Sequence, residues 1–245
     1  QHYVMTKPVC AIIGAGEGLG RALALKFASN GFDLGLVSRT RDGCNAAIEA
    51  AAKGSGQARF FSADVAQPDS VESAIADIRS TLGEITILIY NVRGGFVSCE
   101  PLDMTYEALE QIYREEVIGA FAAAKSVLPH MIEQNAGSIF FSSATAAFRG
   151  SADFPLYAIG KFGLRALSQS LAKAYARHGI HIAHFRLDCN LDVPVMEKLY
   201  GAEYDPEKLA DPDGIAESYW LTFKQPKSAW SNEVELRPHT ERWTY

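Results

Sequence analysis

The segment Gly14-Ala-Gly-Glu-Gly-Leu-Gly20 carries the most specific chemical signal in the chain. It follows an apolar run directly and opens a periodic, helix-forming one. In that place Gly14 permits a tight turn and Gly18 lets backbone N–H groups approach a pyrophosphate. Gly20 allows the helix to pack closely on the strand. The amides from Gly14 and Gly16 through Glu17, Gly18, Leu19 and Gly20 lie at the positive end of a helix dipole, which favours an anion. The second expected strand ends in Val37-Ser38-Arg39-Thr40-Arg41. An NAD site usually places a carboxylate there for the ribose 2′-hydroxyl, and no acid is present. A guanidinium grips a 2′-phosphate bidentately and hydroxyls add bonds, so Ser38, Arg39 and Thr40 predict NADP(H).

These groups need a scaffold, and the apolar pattern supplies one. Strands are expected at residues 9–13, 34–37, 58–62, 85–90, 138–143 and 180–187, with a short last one at 233–236. Helices are expected at 19–29, 43–52, 70–82, 106–134, 154–178 and 215–223. Such alternation indicates βαβ units and a doubly wound, Rossmann-type parallel sheet in three layers. Asn30-Gly31 and Asn135-Ala-Gly137 read as helix ends, and Pro68 as a helix start. Residues 192–213 are charged and carry Pro194, Pro206 and Pro212, with no strand signal. A substrate-covering segment is the expectation there.

At 245 residues the chain suits one α/β domain, residues 1–245, rather than two. A net charge of −6 argues against nucleic acid or anionic membrane as partners. No apolar run reaches the roughly 18 residues of a membrane span, and Gln1 to Pro8 lack the apolar core of a secretory signal. Gln1 to Val4 read as extraneous to the domain. Cys10, Cys44, Cys99 and Cys189 are scattered, which favours reduced thiols and a cytoplasmic setting. His178, His181 and His184 suggest zinc by spacing alone. Two residues three apart on a strand face opposite sides, so no metal site is expected. Ser142 and Ser143 lack the GxSxG elbow of a hydrolase. Trp230, Trp243 and Tyr245 read as packing or subunit-contact residues.

From residue 7 to about 238 the chain resembles the short-chain dehydrogenase/reductase family. The family's TGxxxGxG appears as Ile13-Gly14-Ala-Gly-Glu-Gly18-Leu-Gly20, its adenine-contacting Asp-Val as Asp64-Val65, and its YxxxK as Tyr157-Ala-Ile-Gly-Lys161. Tyr157 and Lys161, four apart, share a helix face. The resemblance implies that Tyr157 gives a proton to a carbonyl oxygen as hydride arrives. Lys161 would lower the phenol's pKa and hold the nicotinamide ribose. Family members are often dimers or tetramers through the two long helices, so a homodimer or homotetramer is implied.

Several positions depart from the pattern. The family's catalytic Ser, about 13 residues before the Tyr, falls on Ala144; Ser143 or Thr145 would have to replace it. The Asn of the middle helix maps to Glu116, which would carry a proton relay or act as a substrate-facing acid or base. NNAG becomes Asn91-Val92-Arg93-Gly94. The Pro-Gly after the sixth strand becomes Asp188-Cys189, and the carboxamide-holding Thr aligns with Val193. Anchoring of the carboxamide would then fall to the Val193 backbone, with Asp188 and Asp192 adding acid nearby. A cationic substrate such as an iminium would suit such acid.

The expected function is NADPH-dependent reduction of a C=O or C=N group of a small organic substrate. Two other readings use the same pocket: a non-redox isomerase or cyclase, and a non-catalytic NADP(H)-binding protein. Substrate choice is expected to lie in residues 192–212 and 93–101.

Overall fold

The computed structural model describes residues 6–243. Gln1 to Val4 and Tyr245 lie outside the described residues. Seven parallel strands form one sheet in the order β3-β2-β1-β4-β5-β6-β7. They are β1 Val9–Ile13, β2 Asp33–Ser38, β3 Ala58–Ser62, β4 Ile85–Tyr90, β5 Gly137–Ala144, β6 Ile180–Leu187 and β7 Glu233–Leu236. Strand order reverses between β1 and β4, and ligands of open α/β sheets bind at such a switch point. Ile13 pairs with Val37 on one side and with Tyr90 on the other, so the chain leaves all three strands at one level.

Helices cover both faces. On one side lie α1 Leu19–Ala28, α2 Arg41–Ala51 and α8 Pro212–Phe223. On the other lie α3 Pro68–Thr81, α4 Tyr106–Tyr113, α5 Gly119–Gln134 and α6 Pro155–Tyr175. The central strands are apolar almost throughout because both their faces are buried. Phe27, Phe32, Trp220 and Phe223 pack edge-on and tilted, with centroids 5.2–6.0 Å apart, and fasten α8 to α1.

The expected long middle helix is interrupted by a wide π-type turn at Arg114–Ile118. A turn with i→i+5 spacing leaves a carbonyl out of the regular ladder. The Tyr90 hydroxyl donates to the carbonyl of Glu115. Gly119 makes that approach possible, since a Cβ there would lie 2.6 Å from the Tyr90 oxygen. Asn135 takes the left-handed conformation (φ 52°) and closes α5, while Pro68 begins α3.

Residues 192–213 are more ordered than their composition suggests. They hold α7 Pro194–Tyr200 and two 3-10 turns. A bridge between Leu191 and Ala210 pins the base of the segment, supported by the Asp192 N–H to Ala210 carbonyl bond of 2.8 Å. Among the described residues no helix is long and apolar enough to cross a membrane.

Candidate active site

The glycine turn is held from below. The Gly14 N–H donates to the Val37 carbonyl at 2.9 Å, and Asn91 Nδ2 donates to the Gly14 carbonyl at 3.0 Å. Gly14 sits at φ +87°, and a Cβ there would be 2.3 Å from the Asn91 carbonyl oxygen. Only glycine fits both constraints. No side chain caps α1, so its first N–H groups face the cleft unclaimed by side chains. Gly14, Gly16, Glu17, Gly18, Leu19 and Gly20 line this cleft, of about 470 Å³, together with Asn91, Ser143, Tyr157, Lys161 and Val193. Bare amides beside an open glycine suit a pyrophosphate: a Cβ on Gly16 would meet nothing within 4 Å.

The adenosine end continues past β2, where Ser38, Arg39, Asp64, Val65 and Asn91 line one depression. Arg39 is exposed. The hydroxyls are less free than their residue types imply. Ser38 Oγ donates to the Thr40 carbonyl and accepts from Cys44 Sγ. Thr40 Oγ1 caps α2 by accepting from Gly43 N–H at 3.3 Å. Asp64 Oδ1 accepts from Ala66 N–H at 3.0 Å. Arg39 is thus the one of the three expected 2′-phosphate contacts whose side chain makes no hydrogen bond or ion pair among the described residues, though it lies close enough to Glu115 to pull that carboxyl's pKa down.

At the other end Tyr157 and Lys161 share the inward face of α6, with Lys161 Nζ 5.7 Å from the Tyr157 ring centre. Lys161 is buried. Its ammonium donates to the carbonyls of Val92 at 3.1 Å and Ser142 at 3.4 Å, and sits 2.9 Å from Glu116 Oε2 as an ion pair. Glu116 is fully buried, and its Oε1 accepts from Gly94 N–H at 2.6 Å. Two glycines make room for it: a Cβ on Gly94 would lie 3.1 Å from Oε1, and one on Gly160 would lie 2.8 Å from its Cγ. A carboxylate so enclosed costs several kcal/mol of desolvation, and the ammonium beside it offsets that cost. The sequence gives the Glu but not its partner, because the pairing depends on the π turn that aims the side chain at α6.

Burial raises the Tyr157 pKa, Lys161 lowers it, Glu116 raises it and Arg93 lowers it. The net direction is upward, so the phenol holds its proton through neutral pH.

The two hydroxyls expected to replace the missing Ser differ. Thr145 Oγ1 donates to Asp188 Oδ1 at 2.6 Å and is committed. Ser143 is buried, lines the same cleft as the glycine turn, and its Oγ has no hydrogen-bond partner among the described residues. A buried hydroxyl without a partner costs on the order of 1–3 kcal/mol, which a ligand can recover.

Other expected positions move. Asp188 lies in the adjoining pocket rather than the nucleotide cleft, and its second oxygen accepts from Arg237 Nε at 3.1 Å. Asp192 accepts from the Tyr204 hydroxyl at 2.8 Å. Asp188 is thus ion-paired to Arg237, and Asp192 lines a depression away from Tyr157, so neither places a free carboxylate beside the phenol. The Val193 carbonyl accepts from Met196 N–H at 2.8 Å and opens α7. His181 and His184 face opposite sides of β6, bonded to Ser231 and Glu233. Trp230 stacks on His181 with centroids 4.7 Å apart, whereas Trp243 is largely exposed.

The profile of the short chain dehydrogenases matches residues 8–188. An uncharacterized oxidoreductase of Staphylococcus aureus is 25% identical over 96% of this chain and 99% of its own. A short-chain dehydrogenase/reductase of Armillaria gallica is 32% identical over 72% of this chain and 69% of its own. Among solved structures, a short-chain dehydrogenase from Rhodopseudomonas palustris superposes with a TM-score of 0.80 at 29% identity, covering 95% of this chain and 99% of that one. A metagenomic short-chain oxidoreductase solved with NADP shares the fold, with a TM-score of 0.82 at 21% identity over 97% and 99% of the two chains. The glycine turn on β1, the Tyr–Lys pair on α6 and the switch-point cleft between them agree with these likenesses: the chain belongs to the short-chain dehydrogenase family of oxidoreductases.

Proposed function

We propose that the protein is an NADPH-dependent reductase of a C=O or C=N group in a small organic substrate. The observation that carries this reading is the Tyr157–Lys161–Glu116 constellation, set in the same cleft as the glycine turn. When bound, NADPH supplies the hydride. Tyr157 donates the proton to the substrate heteroatom, and its upward-shifted pKa suits an acid rather than a base near neutrality. Lys161 holds the nicotinamide ribose, and Glu116 fixes Lys161 and relays protons. Ser143 offers the hydrogen bond that Ala144 lacks. Arg39 receives the 2′-phosphate, with the N-terminus of α2 adjoining it, and Asp64 and Val65 contact the adenine. Residues 192–213 cover the site, since Val193, Val195 and Met196 already line the cleft.

Four unpaired thiols fit a reducing, cytoplasmic setting. Exposed Tyr113 at the end of α4, Phe121 on α5, and Ile159 and Phe162 on α6 fit a homodimer or homotetramer. Neither nucleic acid nor membrane is a proposed partner.

Absorbance at 340 nm, followed over a panel of ketones, aldehydes and imines, tests the proposal. Tyr157→Phe is expected to lose about 10²–10⁴-fold of the turnover while binding NADPH within about threefold of the parent. Turnover that survives the substitution excludes Tyr157 as the acid.

A further inference from the structure

Beside the nucleotide cleft lies a second pocket of about 470 Å³, within the range of small-molecule sites. Arg93, Ala144, Tyr157, Leu187, Cys189 and Asn190 line both, so the two meet at the catalytic phenol. One wall is aromatic. Phe96 and Phe154 stack at 4.3 Å with their planes 2° apart, and Phe96 meets Tyr157 edge-on at 5.0 Å. Arg93 follows β4 and leans over Phe96 at 5.6 Å. Its guanidinium is exposed and has no carboxylate within ion-pair distance among the described residues. It is also close enough to Tyr157 to pull the phenol's pKa down.

The remaining charges of the pocket are Arg149, Asp188 and Glu241. Asp188 is neutralised by Arg237 and by the Thr145 hydroxyl. Arg93 therefore brings to the pocket a guanidinium with no ion pair among the described residues, beside the aromatic wall. Ala144 contributes no side-chain donor, and the Thr145 hydroxyl already donates its hydrogen bond to Asp188. A neutral ketone would gain little polar grip here, whereas an oxyanion would meet a planar fork of donors beside the acid.

We propose that this pocket takes an oxo acid, whose carboxylate pairs with Arg93 and whose apolar part lies on Phe96 and Phe154. This rests on the reductase reading for the chemistry but not for the binding. With the carboxylate on Arg93, a keto group next to it falls beside Tyr157. The carbonyl carbon takes hydride from NADPH and the oxygen takes the Tyr157 proton. The C=O double bond becomes a C–OH single bond, and the oxo acid leaves as a hydroxy acid with NADP+. Solvent returns the proton to Tyr157.

Calorimetry on the full chain saturated with NADP+, which cannot reduce, isolates the binding. The probes are 2-oxo acids from pyruvate to phenylpyruvate, each against the ketone that has methyl in place of carboxylate. At least one oxo acid is expected to bind about tenfold or more tightly than its ketone. Arg93→Gln should erase that preference, and Arg93→Lys should restore part of it. Arg93 is exposed on a loop, so the variants should fold, and NADP+ affinity measured on each reports that directly. No preference for any oxo acid overturns the inference. So does a preference that survives Arg93→Gln, or a variant that loses only NADP+ affinity, which would assign Arg93 to the nucleotide. An Arg93-dependent preference with no NADPH oxidation by any oxo acid would leave the binding site standing and remove oxo acids as substrates, and the same result over the ketone, aldehyde and imine panel would remove the reductase reading itself.

Discussion

The two ends of the cleft are built by different means. At the phosphate end the backbone is the reagent: amides of the glycine turn, fixed by Gly14 at φ +87° and by Asn91 on its carbonyl. At the other end, proposed for the nicotinamide, the groups available are side chains on separate elements: Glu116 from the π turn, Tyr157 and Lys161 from α6, Ser143 from β5 and Arg93 from the loop after β4. A backbone site tolerates little change, because its geometry is shared by every residue of the turn. A side-chain site can be rewritten one residue at a time, and here Ala144 and Glu116 depart from the family pattern. Binding and chemistry should therefore respond separately to substitution.

Tyr157→Phe, described above, makes the largest separation, abolishing most turnover with NADPH affinity kept. Gly14→Ala should do the reverse. Its Cβ would lie 2.3 Å from the Asn91 carbonyl oxygen at a strained φ, so NADPH binding should fall below detection in a titration, or the protein should melt at lower temperature. If Gly14→Ala binds NADPH normally, the phosphate end is less constrained than described.

Arg39→Ala comes next. Loss of a charge-assisted contact costs on the order of 1.5–3 kcal/mol, so NADPH should bind about ten- to a hundredfold more weakly. NADH affinity should change little. Equal affinities of the parent for NADPH and NADH would remove the 2′-phosphate assignment.

Glu116→Gln sharpens the catalytic end. The fully buried carboxylate raises the Tyr157 pKa, so its removal lets that pKa fall. Reduction needs the protonated phenol and declines as pH rises through its pKa. The alkaline limb of the kcat profile should therefore move to lower pH. Lys161 would also be left buried without its counter-ion, and breaking such a pair costs about 3–5 kcal/mol in thermal or denaturant unfolding. An unmoved alkaline limb would make Glu116 structural only. The smallest effect belongs to the exposed faces of the long helices: Phe121→Asp should lower the oligomeric state in sedimentation with each protomer still folded.

Much of the fold is legible because buried parallel strands must be continuously apolar and their helices must be capped. The run at Ile85–Tyr90 reads as a buried strand on its apolar residues, Ile180–Leu187 does so in spite of His181, His184 and Arg186, and Asn135 and Pro68 mark helix boundaries by backbone preference. The phosphate site is legible for the same reason, since its constraint is local. Pairings across the fold are not. Thr145 looks like a free hydroxyl until Asp188, 43 residues on, accepts its hydrogen bond. Ser38 looks like a phosphate contact until it donates to Thr40. Glu116 reads as a substituted Asn, and only the turn at Arg114–Ile118 directs it to Lys161. Residues 192–213 read as irregular because their prolines break long helices, yet Pro194 starts α7, Pro206 starts a 3-10 turn and Pro212 starts α8.

The ratio of NADPH oxidised to product formed tests the central claim most directly. It is measured by 340 nm absorbance and chromatography on the same reaction. Hydride transfer from NADPH with Tyr157 as acid predicts one nucleotide oxidised for each carbonyl or imine reduced. Product that accumulates while NADPH stays constant would contradict it and point to a non-redox reaction in the same cleft.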